Sequence, residues 1–129
     1  MRRLLPSLVF LFIIGARLLP AQTQATMPVR PGSVKFAVIG DSGTGDGPQF
    51  DVSARMNEAR ASFPFELVIM LGDNIYGRQL AQDFVQKFER PYASLLAAGV
   101  LFYASLGNHD SPNNRFYPKF NMGGQRYYT

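Results

Sequence analysis

The sequence has no cysteine among its 129 residues and a single histidine, His109. Without cysteine no disulfide can form, so stability rests on an apolar core and on any bound metal. With one histidine, an imidazole base can only be His109. There are no repeats and no low-complexity tract. The longest apolar run, Leu4 to Ala16, falls short of the roughly 20 residues that span a bilayer. A basic stripe is also missing. Of the 13 basic residues, Arg2, Arg3 and Arg17 lie near the N-terminus, leaving ten against nine acids from residue 26 onward. That near-neutral balance argues against nucleic acid as a partner. The length allows one small domain.

What is present begins with a basic start, Met1-Arg2-Arg3, followed by the Leu4–Ala16 run. This pattern predicts a secretory signal peptide over residues 1–25, cleaved near Ala21 or Ala25. An uncleaved anchor is the alternative. The expected location is periplasmic or extracellular, with no stable membrane span after cleavage. Residues 26–33 contain Pro28, Pro31 and Gly32 and read as a linker. The domain then covers residues 34–129.

Val34 to Ile39 predicts a first strand, and its unbroken apolar end suggests cover on both faces. Pro48 can open a helix. Val52, Met56, Ala59 and Phe63 would form its apolar face, and Pro64 would end it. Glu66 to Leu71 predicts a second strand. Leu80, Phe84 and Phe88 mark a helix that Pro91 should break or kink, with Tyr92, Leu95 and Leu96 continuing its face and Gly99 stopping it. Val100 to Ser105 predicts a third strand. Pro112 to Phe120 reads as a short helix with Phe116 and Phe120 inward, and Gln125 to Thr129 as the start of another strand. Alternation of strand and helix implies an α/β fold with parallel strands and right-handed crossovers.

Each apolar strand opens onto a polar loop: Gly40-Asp41-Ser42-Gly43, Gly72-Asp73-Asn74-Ile75-Tyr76 and Gly107-Asn108-His109-Asp110. Parallel strands place these loops along one sheet edge, where open α/β sheets bind ligands. Two carboxylates brought together repel unless a cation sits between them, and oxygen donors with imidazole suit Mg, Mn, Fe or Zn. A phenol such as Tyr76 becomes a ligand only to a strong Lewis acid such as Fe(III). Taken singly, Asp41 and Asp73 read as turn or helix-cap residues, and Asn108 as a turn residue. His109 taken alone reads as structural, but a neighbouring Asp110 that could orient its ring favours function. Gly-Asp-Ser-Gly invites a nucleophilic Ser42, which needs a base.

Together the three loops resemble the calcineurin-like metallophosphoesterase superfamily, most closely the small animal-type purple acid phosphatases. The resemblance runs from about Lys35 to Thr129, with Tyr76 pointing to that subgroup and Tyr127-Tyr128 resembling its next strand. It implies a βαβαβ half of a metallophosphoesterase-type α/β sandwich. It also implies hydrolysis of a small phosphate monoester by in-line attack of a metal-bound hydroxide at a centre of Fe(III) and a divalent ion (Fe, Zn or Mn). Asp41 would bind the first metal, Asp73 would bridge both, Tyr76 would bind Fe(III) and Asn108 the divalent ion. Asn108 and His109 would face the substrate phosphate, with His109 as hydrogen-bond donor or acid. The family's three further histidine ligands have no counterpart here, so the chain reads as a truncated N-terminal portion that needs a missing half. Two other readings stand beside it. One is a serine esterase of the SGNH/GDSL type, with Ser42 as nucleophile and Asn108 near an oxyanion hole, although that family's Asp-x-x-His block is lacking. The other is a non-catalytic fragment that binds a metal or a partner.

Overall fold

Three short apolar runs pair into a parallel sheet: β1 (Phe36–Ile39), β2 (Leu67–Met70) and β3 (Leu101–Ala104), in the order β1-β2-β3. The computed structural model describes residue 27 and residues 29–126. The proposed signal peptide, Pro28 and the Tyr127-Tyr128 pair lie outside the described residues. Register is even across the sheet, with Phe36 opposite Leu67 and Leu67 opposite Leu101. The ladder runs on past the strand ends: Leu71 N–H donates to Ile39 O at 2.8 Å and Ser105 N–H to Met70 O at 2.8 Å. All three C-terminal loops therefore leave the sheet at one level.

Between β1 and β2 runs α1 (Gly47–Ser62), with Pro48 in its first turn and Asp46 as its cap. Between β2 and β3 runs a broken helix. It comprises α2 (Ala81–Phe84), a π turn over Val85–Glu89, and α3 (Ala93–Ala97) after Pro91. Pro91 brings no N–H and its ring crowds the turn before it. The π turn takes up that misfit, and Arg90 N–H donates to Val85 O at 2.9 Å. Gly99, at φ +77°, ends α3.

Because strand order follows chain order, two right-handed crossovers put both helices on the same face of the sheet. Gln49 of α1 accordingly donates to Lys87 O of the π turn at 2.7 Å. The core lies on that face. Val68, Met70, Phe102 and Ala104 of the sheet meet Phe84, Phe88, Tyr92 and Leu95 of the helices, with Phe120 and Met122 closing the end. The opposite face is apolar and uncovered among the described residues, with Phe36, Val38 and Leu101 exposed. Cover on both faces of β1 is thus corrected, since the crossovers supply only one layer.

Three smaller expectations change as well. Val52 of α1 is 47% exposed, and the inward residues are Gln49, Ser53 and Met56. The helix is turned so that Gln49 serves the loops. Pro112–Phe120 forms two 3-10 turns, Pro112–Phe116 and Pro118–Phe120, separated by an extended Tyr117. That break leaves Phe120 buried but Phe116 62% exposed, with the Arg115 guanidinium 4.4 Å from its ring centre. Gln125 and Arg126 are not in a strand. No helix among the described residues is long and apolar enough to cross a membrane.

Candidate metal centre

Asp41 and Asp73 each follow a glycine at the end of a strand, and both have left-handed backbones, φ 52° and 53°. For a residue with a Cβ that conformation costs about 1–2 kcal/mol. Strain repeated at two equivalent loop positions directs attention to what the side chains hold. They do not hold helices. The cap of α1 is Asp46, whose Oδ1 accepts from Gln49 N–H at 3.3 Å. The start of α2 is served by Asp83, whose Oδ2 accepts from Leu80 N–H at 3.0 Å. The helix-cap reading of both aspartates is therefore excluded.

Instead the two carboxylates converge on a phenol. Tyr76 Oη lies 3.1 Å from Asp41 Oδ1 and 3.2 Å from Asp73 Oδ2. Its single proton can satisfy one of them fully at a time. The second oxygen of Asp73, Oδ1, accepts from His109 N–H at 3.0 Å. The His109 ring packs on the Tyr76 ring, with centroids 4.8 Å apart. Asp41, Asp73, Tyr76 and His109 are thus brought together. Asn108 sits beside them on the third loop, exposed and with no hydrogen bond to the cluster. No hydrogen bond joins Ser42 to His109, so the nucleophile reading lacks its base. Asp110 does not orient the His109 ring. Both its oxygens point into the protein and accept from the second loop.

The donor set fits one hard cation. Three oxygens, two of them anionic, surround a space that one proton serves poorly. Among the described residues no three His, Cys, Asp or Glu side chains gather to hold a metal, so a set of three donors here would have to include the phenol. Burial, then the hydrogen bond and charge of Asp41, then those of Asp73, push the Tyr76 hydroxyl up to about 12. A cation that takes the phenolate must displace this tightly held proton, so its apparent affinity rises with pH. In the metal-free protein, ultraviolet titration should show a phenol ionising near pH 12, and Asp41→Asn should move it toward the ordinary tyrosine range. If Tyr76→Phe left that component in place, the assignment would be wrong.

Several residues that brace these loops carry no signal in the sequence. Lys87 Nζ, brought in by the π turn, donates to Tyr76 O at 2.6 Å and Arg78 O at 3.1 Å, and pairs with Asp83 at 3.2 Å. The Asp83–Lys87 spacing of four was readable as a helical ion pair, but its reach to Tyr76 was not. Gln79 donates to both Ile75 O and His109 O and accepts from Ser111 N–H. Asn74 is buried and donates to Ser105 O at 2.7 Å and Asp110 Oδ2 at 2.8 Å, while its Oδ1 has no partner.

A family model described as calcineurin-like phosphoesterase matches residues 34–129. Comparison with curated proteins found no match, and comparison with solved structures found none.

Proposed function

The chain belongs to the calcineurin-like phosphoesterase family through residues 34–129, and from that premise we propose that its strand tips form an Fe(III)–divalent centre of the purple acid phosphatase type. The family is one of phosphoester hydrolases that bind divalent metals. The finer reading is hydrolysis of a small phosphate monoester by an exported protein. The choice of subgroup is supported by one observation, that Tyr76 Oη lies between Asp41 Oδ1 and Asp73 Oδ2, while export rests on the basic and apolar N-terminal stretch of the sequence.

In this reading Asp41, Tyr76 and Asp73 would hold Fe(III), and Asp73 and Asn108 would hold the divalent ion. A bound metal pair supplies Lewis acidity, lowering the pKa of water and offsetting phosphate charge. The remaining work falls to the chain. Asp73 keeps Oδ1 on the His109 amide and turns Oδ2 toward Tyr76. His109, held at its backbone and against the Tyr76 ring, presents its imidazole to the phosphate or to the leaving oxygen as donor or acid. Asn108 offers an amide at the same edge for a phosphate oxygen.

Loading the 129-residue chain with Fe(III) should give a visible absorption band from the Tyr76 phenolate, and Tyr76→Phe should abolish it. Asp73→Asn should weaken Fe(III) binding by at least about a hundredfold, because changes to residues that only orient metal ligands already cost about 10–100-fold. An unchanged band in Tyr76→Phe would sink the purple acid phosphatase reading. Unchanged affinity in Asp73→Asn would remove Asp73 from the centre.

A further inference from the structure

We infer that Asp110 is a positioning residue that couples the second loop to the third, setting where Asp73 stands relative to Asn108 and His109. The inference rests on the metal-centre reading above.

Asp110 is 8% exposed, and its oxygens take donors from both loops. Oδ1 accepts from Asn74 N–H at 3.0 Å, Ile75 N–H at 3.0 Å and the Asn114 amide at 3.4 Å. Oδ2 accepts from Gly107 N–H at 2.9 Å, Asn74 N–H at 3.0 Å and the Asn74 amide at 2.8 Å. The partners are not scattered. Asn74 and Ile75 directly follow Asp73, and Gly107 directly precedes Asn108. One carboxylate therefore holds the backbone on both sides of the gap that the centre must span.

A carboxylate is the group this position requires. Every neighbour of its oxygens is an N–H donor, and an ionised carboxylate is an acceptor at both ends. An asparagine would turn an NH2 toward Ile75 N–H in one orientation, or toward Gly107 N–H and the Asn74 amide in the other. Either way donor meets donor inside the protein. The two loops also leave no slack, because a Cβ on Gly107 would lie 2.2 Å from Asp73 Oδ1. A small separation there moves a metal ligand directly, and functional groups must be held within about 0.5 Å to work.

The test uses the full chain and Asp110→Asn. In the metal-free protein, hydrogen exchange by NMR should quicken at least about tenfold at the Asn74, Ile75 and Gly107 amides, while Val68 and Phe102 of the sheet stay protected. Titration with Mn2+ should then show affinity reduced about 10–100-fold, as for other residues that orient metal ligands. With Fe(III), the visible band should shift in wavelength as well as weaken. If the three amides stay protected, the coupling is wrong. If they open while Mn2+ affinity and the Fe(III) band match those of the wild type, Asp110 braces the loops without positioning the centre, and the inference fails. Should Asp110→Asn lose its sheet protection, Asp110→Glu keeps the carboxylate on a longer arm. Wild-type values in both measurements would then overturn the proposal. The unsubstituted chain is the control: if it binds neither ion, the metal reading itself falls, whereas binding by the wild type with an unaffected variant removes only the role of Asp110.

Discussion

Gly43→Ala should destabilise the domain by about 3–5 kcal/mol, at the upper end for a single substitution. A Cβ on Gly43 would lie 2.0 Å from Asn74 O, 2.2 Å from Asn74 C and 2.4 Å from Ile75 N. All three atoms are backbone, so no side chain can swing aside. The first loop rests here directly on the second, and Tyr76 N–H donates to Gly43 O at 2.9 Å across the contact. To admit a methyl group the loops must separate, and separation takes Tyr76 away from Asp41. Stability and site should therefore fail together. Urea unfolding would give the first quantity and the high-pH tyrosine titration the second. A variant as stable as the parent, with its Tyr76 titration unaltered, would show that the loops do not abut.

Phe88→Ala should cost a similar amount, about 3–5 kcal/mol, for a different reason. Phe88 is completely buried. Its ring meets Phe102 edge-on at 5.0 Å, Phe120 at 5.2 Å and Tyr117 at 6.0 Å, and lies tilted 5.7 Å from Tyr92. Edge-to-face pairs add about 0.5–1.5 kcal/mol each beyond the area they bury. The residue joins the π turn, the sheet and the 3-10 segment at one point, so little can collapse into the space left behind. Tyr76 and its carboxylates lie elsewhere and should keep their titration in the surviving folded fraction. A loss below about 1.5 kcal/mol, the range of volume-conserving swaps, would mean that the cavity closes.

The strands were legible because Phe36–Ile39, Leu67–Met70 and Leu101–Ala104 lie in short apolar runs that stop at Gly40, Gly72 and Ser105. The candidate site was legible because each run hands over to a carboxylate or an amide, and parallel strands bring such ends to one edge. Which face of the sheet is covered was not legible. Phe36 and Val38 are as apolar as Ala37 and Ile39, and composition does not record which side the crossovers take. Polar residues that face inward were missed for a related reason. Gln49 reads as a surface residue and Asp110 as a partner for the His109 ring until the fold brings each to the backbone groups it serves. Phe116 was misplaced because a 3-10 turn and an extended Tyr117 do not carry the helical period across residues 112–120. The left-handed backbones of Asp41 and Asp73 had no sequence signal beyond the glycine before each.

Strand order has one more consequence. In a row of three, one member has two neighbours, and here it is β2. Its loop touches the first through Gly43 and the third through Gly107 and Asp110, whereas the outer loops each meet a shared middle. Side chains that reach loops on both sides can come only from that central seat, and Asp73 and Tyr76 occupy it: Tyr76 Oη meets Asp41 of the first loop, and Asp73 Oδ1 meets the His109 amide of the third. Division of labour among the loops is thus decided by seating rather than by the chemistry of any one side chain. Moving the same Gly-Asp sequence to an outer strand would preserve every atom of the motif and forfeit its reach to one side.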